Sequence, residues 1–326
     1  MRTTVLYAGA LALAFLLPGC SESGTDSPEQ PQERVPIHLT GIVQGGVESE
    51  TKAPVEGGTA ETPATTLYFV RADQDATTGV YGAWGTAALP ASRAKAVGNT
   101  PTSLVFTKTQ YYLSSGKKTK LTGWYPAATS FTGGVASWTL TGAEDVMTCP
   151  AAEGSKATDD AIGNMAFAHR LSQLQFYVYT EEAEFATLWG KVKGISVKGQ
   201  QKTCTYTLGA STGTPDGSVA FSGTADGVFT VYQDATGVDA PVSAVADKAT
   251  KAKLLGTVMV PVQTSATYEL PIDVVTANGG TTTVKLKQAL AASTAYKVYL
   301  KLTANQIKGT ATIGGWATGT AADVEL

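Results

Sequence analysis

Residues 296–302 read Tyr-Lys-Val-Tyr-Leu-Lys-Leu, and this stretch decides the fold class. Apolar residues stand at every second position, from Tyr296 to Leu302, with Lys297 and Lys301 between them. Because successive side chains of a β-strand point to opposite faces of a sheet, this alternation predicts a strand with one face in a core and the other in water. Half-buried strands of this kind are typical of antiparallel sheets.

The same alternation recurs along the chain. Its apolar positions are Val35, Ile37, Leu39, Gly41 and Val43; Leu174, Phe176 and Val178; Tyr268, Leu270, Ile272 and Val274; Val284 and Leu286. Asn278-Gly279 separates the last two rows and predicts a hairpin, because both residues tolerate positive φ. A short helix is expected only near residues 181–188. Many short strands with frequent turns predict an all-β protein of sandwiches or barrels.

The N-terminus has the pattern of an export signal. Arg2 precedes an apolar run over residues 5–17, which is shorter than the roughly 20 residues of a transmembrane helix and matches the apolar region of a secretory signal. Leu16-Leu17-Pro18-Gly19-Cys20 then resembles a bacterial lipobox, which implies cleavage before Cys20 and acylation of its thiol. The alternative is an ordinary secretion signal with an incidental cysteine. We expect residues 1–19 to be a lipoprotein signal peptide and the lipid on Cys20 to anchor the protein.

The rest of the chain is expected to hold a tether and two domains. Residues 20–34 contain no large apolar side chain, so they predict a flexible tether. About 300 residues follow, which suits two domains better than one. Residues 151–163 are small, polar and charged, without periodicity. They predict a boundary between an N-terminal domain over 35–160 and a C-terminal domain over 161–326.

Charge and motifs exclude several function classes. The formal net charge is −3, only 16% of residues are charged, and neither sign forms long blocks, so nucleic-acid binding is not expected. The two histidines, His38 and His169, lie far apart without a Gly-x-Ser-x-Gly elbow, a glycine-rich nucleotide motif or zinc-ligand spacing. His169 is expected to be a packed or hydrogen-bonded structural residue. The sequence predicts no enzyme activity, no metal and no cofactor.

Three further patterns carry weaker alternatives. Asp73-Gln74-Asp75-Ala76-Thr77 spaces oxygens as a calcium loop does, but it lacks the sixth-position glycine and the late glutamate, so a solvated turn is the better interpretation. Five tryptophans allow a sugar-binding surface, although tryptophan usually belongs to a core or its edge. Cys149 and Cys204 form a disulfide only if their Cα atoms lie within about 7 Å, and the sequence leaves this pairing open.

Several segments, in this order, resemble the fimbrillin family of type V pili, and the resemblance covers residues 35–326. They are the early strand 35–43 followed by Glu50-Thr51-Lys52-Ala53-Pro54; Gln110-Tyr111-Tyr112-Leu113 leading to Leu121-Thr122-Gly123-Trp124-Tyr125-Pro126; Asp145-Val146-Met147 before residues 165–174; and residues 296–302 before Ile313-Gly314-Gly315-Trp316. The resemblance implies two transthyretin-like antiparallel β-sandwich domains in tandem.

The resemblance also implies a mechanism of assembly. Such subunits are exported as lipoproteins to the outer membrane, where an Arg- or Lys-specific surface protease cuts after a basic residue in the loop that follows the first strand. That strand leaves, and a strand from a neighbouring subunit fills the groove by β-augmentation. On this chain the implied cut lies between Lys52 and Ala53, with Arg34 as a fallback that would leave the strand attached.

The resemblance assigns the remaining site residues. The strand to be removed carries Val35, Ile37, Leu39 and Val43, and the candidate donor segment carries Ile313, Val324 and Leu326 within residues 307–326. The leading hypothesis is a stalk or tip subunit of a cell-surface pilus that serves adhesion, with other pilus subunits and a glycan or protein receptor as partners. The alternative is a permanently anchored surface lipoprotein that binds glycans through its aromatic side chains.

Overall fold

The computed structural model describes residues 34–44, 65–93, 101–157, 162–212, 216–314 and 323–324. Its strands are β1 (Leu39–Val43), β2 (Thr65–Asp73), β3 (Leu89–Arg93), β4 (Thr102–Phe106), β5 (Thr119–Tyr125), β6 (Ser130–Thr132), β7 (Val135–Thr139), β8 (Met147–Gly154), β9 (Ile162–His169), β10 (Ser172–Thr180), β11 (Val192–Gln200), β12 (Thr203–Thr207), β13 (Ser218–Ser222), β14 (Gly227–Val238), β15 (Lys253–Val260), β16 (Glu269–Thr276), β17 (Gly280–Lys287), β18 (Thr294–Leu302), β19 (Ile307–Gly314) and β20 (Asp323–Val324). The α-helices are α1 (Ala183–Trp189) and α2 (Lys248–Lys251), and a 3-10 turn spans Val245–Asp247. The all-β prediction is confirmed.

Seven strands close into a ring in the order β1-β4-β3-β2-β5-β8-β9. Every neighbouring pair is antiparallel except β1 and β9, which run parallel and close the ring. Inside the ring lies one hydrophobic cluster, which we call the barrel core: Ile37, Leu39, Val43, Leu67, Phe69, Ala91, Leu104, Phe106, Tyr112, Leu121, Met147, Cys149, Ile162, Met165 and Phe167. Closing a sheet on itself leaves no unpaired strand edge.

Two further sheets share a second hydrophobic cluster, which we call the sandwich core. One has five strands in the order β15-β10-β18-β19-β20, and the other has four in the order β14-β11-β16-β17. Phe176 of β10 and Ile272 of β16 both belong to this core. β10 and β18 run parallel, and the residues between them give the chain the long crossover that a parallel pair needs.

A small four-stranded sheet, in the order β13-β12-β7-β6, links early and late parts of the sequence. β7 follows ring strand β5 in the chain and pairs with β12 over five residue pairs, from Thr139↔Thr203 to Val135↔Thr207. Trp138 and Tyr206 of this sheet extend into the sandwich core. The domain boundary between residues 160 and 161 stays a prediction; β9, which follows it in sequence, belongs to the ring.

The strand at residues 296–302 is confirmed as part of β18, but Tyr299, on the face predicted to lie in water, is buried. Tyr299 is 2% exposed. Its ring stacks on Tyr177 at 5.1 Å between centroids, and the Lys248 ammonium of α2 lies 5.3 Å from its centroid. Gln173 and Gln175, on neighbouring β10, are buried as well. The prediction of a solvated position is therefore wrong for Tyr299, which distant segments cover, whereas Lys297 and Lys301 on the same face are partly exposed.

The predicted hairpin joins β16 to β17, but its turn differs from the expected one. Thr276 pairs with Gly280, so residues 277–279 form a three-residue loop. The positive φ, 67°, belongs to Gly280 and not to Asn278 or Gly279. Gly280 follows this loop as the first residue of β17, and glycine adopts the left-handed conformation there without steric cost. The predicted helix near residues 181–188 is confirmed as α1, but the expectation that it is the only helix is wrong, because Lys248–Lys251 form α2.

Candidate functional site

The chain segment at residues 35–44 is hydrogen-bonded to the ring on both sides. β1 pairs with β4 through Leu39↔Leu104, Thr40↔Ser103 and Gly41↔Thr102, and with β9 in parallel. Ahead of β1, the Ile37 N–H donates to the Gln110 carbonyl at 2.8 Å, and the Tyr112 N–H donates to the Val35 carbonyl at 3.0 Å. Behind it, the Gln44 N–H donates to the Phe167 carbonyl at 2.8 Å. The segment therefore lies between two neighbours and is not an edge.

The alternate side chains of this segment fill the barrel core. Ile37, Leu39 and Val43 are 6%, 1% and 0% exposed, and Val35 is half-buried against the same core. His38, between them, is exposed. Burying one large aliphatic side chain contributes about 1.5–3 kcal/mol, so this segment contributes a substantial part of the barrel's stability.

Gly41 lies at the position between Leu39 and Val43 that faces the barrel core, and it has no side chain there. A Cβ atom at Gly41 would lie 2.8 Å from Leu104 Cδ1 and 3.1 Å from the Met165 carbonyl oxygen. Only glycine allows β1 to approach β4 and β9 this closely without a shift of its neighbours. This role was not predicted from the sequence, although the glycine falls in phase with the alternating apolar row.

The side chains that surround β1 in the barrel core are apolar. They include Leu104 of β4 and Met165 of β9, both buried. They also include Phe69, whose ring makes edge-to-face contacts with Phe106 and Phe167 at centroid distances of 5.8 Å each. These contacts join side chains of β2, β4 and β9 and involve no side chain of β1.

The predicted processing residues Cys20, Lys52 and Ala53 lie outside the described residues. In sequence, Lys52 and Ala53 fall between the end of β1 at Val43 and the start of β2 at Thr65. A cut there would separate β1 from the rest of the ring strands.

The candidate donor segment is divided between two strands. Ile313 belongs to β19, which pairs with β18 over eight residue pairs, and it packs half-buried against the sandwich core. Val324 belongs to β20, which pairs with β19 through only Ala311↔Val324 and Thr312↔Asp323. Leu326 lies outside the described residues.

His169 is a structural residue, as predicted. Its Nδ1 lies 2.7 Å from Asp145 Oδ1 in a buried pair, and the Ser293 hydroxyl donates to the His169 carbonyl at 2.8 Å. This pair joins the end of β9 to the segment before β8, where Met147 pairs with His169. The two phrases that resembled the fimbrillin family around Asp145 and His169 are therefore neighbours in space.

The carboxylates of the calcium-like stretch are engaged in the turn itself. Asp75 Oδ1 accepts hydrogen bonds from the N–H groups of Thr77 and Thr78 at 3.0 and 2.7 Å, and these bonds lower the pKa of Asp75. Asp73 pairs with Arg71 and accepts a hydrogen bond from Thr119. In the described part of the chain, no three His, Cys, Asp or Glu side chains come together as a metal site would require.

Cys149 and Cys204 are buried free thiols. Burial raises the pKa of Cys204 to about 12 and raises that of Cys149 still further. Neither thiol therefore has the lowered pKa of a nucleophilic cysteine.

The described tryptophans divide into two pairs. Trp124 and Trp138 are 1% and 2% exposed and belong to the sandwich core, as the core interpretation predicts. Trp84 and Trp189 are half-buried, and their indole N–H groups donate to the carbonyls of Gly209 and Thr303, each at 2.7 Å. Trp316 lies outside the described residues. Within those residues there is also no helix with the length and apolar character to cross a bilayer.

Residues 51–316 match the family model described as fimbrillin-like. The chain belongs to the fimbrillin-like family. The predicted resemblance to the fimbrillin family is therefore confirmed, over residues 51–316. No protein of curated function matches the sequence significantly.

Solved structures share the fold of this fimbrillin-like chain. A proposed cell adhesion protein from Bacteroides uniformis aligns with a TM-score of 0.59 at 14% identity, over 88% of this chain and 99% of that one. A proposed cell adhesion protein from Bacteroides ovatus gives 0.53 at 15% identity, over 88% and 100%. A fimbrial assembly protein from Parabacteroides distasonis gives 0.51 at 12% identity, over 90% and 99%. At these identities the likeness establishes the fold.

Proposed function

We propose that this protein is a stalk or tip subunit of a cell-surface fimbrium, assembled by removal of its first strand and donor-strand exchange, and serving adhesion. The observation that carries the proposal is the position of β1. It is a buried strand between β4 and β9 in a closed ring, and in sequence it precedes the proposed cut between Lys52 and Ala53.

Loss of β1 would create a site that selects another strand. The facing edges of β4 and β9 would lose their hydrogen-bond partners, and the places of Ile37, Leu39 and Val43 would become an apolar groove. Unpaired edges and an apolar groove together bind an extended strand with apolar residues at alternate positions. A strand from a second subunit restores both the hydrogen bonds and the buried apolar surface, so the joint is as complete as the original ring.

The precursor would lie at the outer membrane, and the mature subunit would lie in the cell-surface fimbrium. Acylated Cys20 would hold the precursor at the outer membrane, and cutting after Lys52 by an Arg- or Lys-specific surface protease would release the mature subunit from residues 20–52. Other fimbrial subunits are then its partners in the fimbrium.

We further propose that the donor lies beyond β19. Ile307 and Ala311 of β19 are buried in the sandwich core, so donating β19 would open that core. Among the described residues, β20 pairs with β19 at two positions, and it lies at the edge of its sheet. Val324 and Leu326 would then supply the apolar positions, while Ile313 stays in its sheet.

The first experiment is to determine the N-terminus and mass of the protein recovered from native cell surfaces. The proposal predicts a chain that begins at Ala53 and carries no lipid. A chain that still begins at acylated Cys20 in the assembled fraction would contradict strand removal. That result would favour an anchored surface lipoprotein, the alternative in which the protein binds glycans without assembly.

A further inference from the structure

A cavity of about 660 Å³ lies where three segments of the chain meet. We call it the Trp84 cleft, and it is lined by residues 83–86, 131–134 and 210–212. It is separate from the groove around β1. Its volume falls in the range of sites that hold small ligands, about 300–1,000 Å³.

Trp84 is held in place as one wall of the cleft. Its N–H donates to the Gly209 carbonyl at 2.7 Å, and its ring packs half-buried against the sandwich core. The Gly85 N–H donates to the Arg71 carbonyl at 2.8 Å, which ties this segment to β2. The Ser211 hydroxyl donates to the Gly82 carbonyl at 2.5 Å and joins the third segment to the first. The indole is therefore fixed before any ligand arrives.

The side of the Trp84 cleft opposite Trp84 is formed by the Phe131 ring and by the turn at Gly133 and Gly134. Phe131 is half-buried, with its ring 4.9 Å from that of Trp124. Gly133 and Gly134 follow it with φ of 58° and 76°, and a Cβ atom at either would meet nothing within 4 Å. The two glycines therefore add no side chains to this turn, and the Gly134 carbonyl accepts a hydrogen bond from the Leu208 N–H at 2.9 Å.

The chemistry of the lining selects a class of ligand. None of the described residues that line the cleft is charged, and the exposed Thr86, Thr132 and Thr212 add hydroxyl groups. Aromatic faces suit the C–H faces of a pyranose ring, while hydroxyls and peptide groups suit its oxygens. A charged ligand would find no counter-charge in this lining.

We propose that the Trp84 cleft binds a neutral oligosaccharide of pyranose units. The other half-buried tryptophan does not offer such a wall. A Cβ atom at Gly279 would lie 2.4 Å from Trp189 Cε3, so the β16–β17 turn lies directly on that ring. This binding would act on a single folded subunit and does not depend on strand exchange.

The test is calorimetric titration of the purified full-length chain with maltotriose, cellotriose, mannotriose, xylotriose and chitotriose, and with trigalacturonate as a charged comparison. At least one neutral trisaccharide is expected to bind saturably. Trp84→Ala is expected to weaken this binding about tenfold or more, the change in Kd that follows from 1.4 kcal/mol. Trp189→Ala is the matched control, because Trp189 is also half-buried and also donates to a carbonyl, and it is expected to leave the Kd unchanged.

A second pair of variants guards against misfolding of Trp84→Ala. Thr132→Arg places a long side chain at the exposed rim of the cleft and is expected to weaken binding with an unchanged Tm. Thr139→Arg, exposed at the other end of the β6–β7 hairpin, is expected to bind normally. The proposal is overturned if no neutral trisaccharide binds, if only trigalacturonate binds, or if Trp84→Ala and Thr132→Arg both bind like the original chain.

Discussion

Gly41 lies where β1 comes closest to its neighbours in the ring. The Leu104 side chain of β4 and the Met165 carbonyl of β9 occupy the space in which a larger residue would point. The first strand is therefore stabilised by the close approach that Gly41 allows and by the burial of Leu39 and Val43 beside it.

Gly41→Val should therefore destabilise the protein through overpacking, by about 1–3 kcal/mol. His38→Val, just before β1, is the matched control, because His38 is exposed, and its effect should stay within about 0.5 kcal/mol. Urea unfolding followed by circular dichroism gives both free energies of unfolding. Equal losses for the two variants would contradict the close packing described for Gly41.

The two buried thiols make a second prediction at the residue scale. The pKa of Cys204 is raised to about 12 and that of Cys149 is raised further, so both remain protonated thiols from pH 7 to pH 9. Iodoacetamide labelling followed by peptide mass spectrometry should show little modification of either residue across this pH range in the folded protein. Both should react rapidly in denaturant. A steep rise in native labelling between pH 7 and pH 9 would show that a thiolate forms and would contradict the burial of these groups.

At the scale of elements, β1 is distinguished by what surrounds it. The ring gives it two hydrogen-bonded neighbours, and the Phe69 ring packs against Phe106 and Phe167 in the core that β1 helps to fill. To leave the ring, β1 must separate from β4. A covalent cross-link between β1 and β4 should therefore prevent its release.

The double variant Thr40→Cys and Ser103→Cys should block polymerisation after protease treatment under oxidising conditions. These residues pair directly across antiparallel β1 and β4, where Cα atoms lie about 4.5–5.5 Å apart, a distance that a disulfide spans. Adding a reducing agent should restore polymers. The measurement is the ladder of species in gels and by size-exclusion chromatography.

The matched control joins two strands that are proposed to stay. Thr66 and Ser92 form a corresponding threonine–serine pair across antiparallel β2 and β3 of the same ring. The double variant Thr66→Cys and Ser92→Cys should polymerise equally well with and without reductant. Polymerisation of the β1–β4 cross-linked protein would overturn strand removal as the assembly step.

At the scale of the whole molecule, the barrel core and the sandwich core have separate tasks in the proposed assembly. The groove that receives a strand belongs to the barrel, and the segment that supplies one follows β19 of the sandwich. Each subunit can then contact one neighbour through its barrel and another through its C-terminal segment, which is the head-to-tail arrangement that gives open filaments.

The double variant Val324→Asn and Leu326→Asn should fold normally and fail to donate a strand, because an apolar groove discriminates against polar side chains. Asp323→Asn with Glu325→Asn is the matched control, since it changes the same segment at the intervening positions. Polymer formation after protease treatment and the Tm of each variant are the measurements. Normal polymers from the first variant would exclude these two residues as donor anchors.

Alternation along single strands was sufficient to predict the all-β class, the row Ile37, Leu39 and Val43, and the hairpin between β16 and β17. These features depend on neighbours in sequence, because side-chain direction in a strand is fixed by position. The strand-like sequences around His169 and Trp124 also predicted that both residues are part of the packed structure.

Contacts between distant segments decided the rest. Only the tertiary structure shows that β1 and β9 are parallel neighbours that close a ring, that Gly41 faces Leu104, and that Tyr299 is covered by Tyr177 and Lys248. The Trp84 cleft likewise needs three separate segments to meet. The sequence by itself determined which residues point the same way along each strand. Which strands become neighbours depends on how the completed cores pack, and that information is not contained in any one segment.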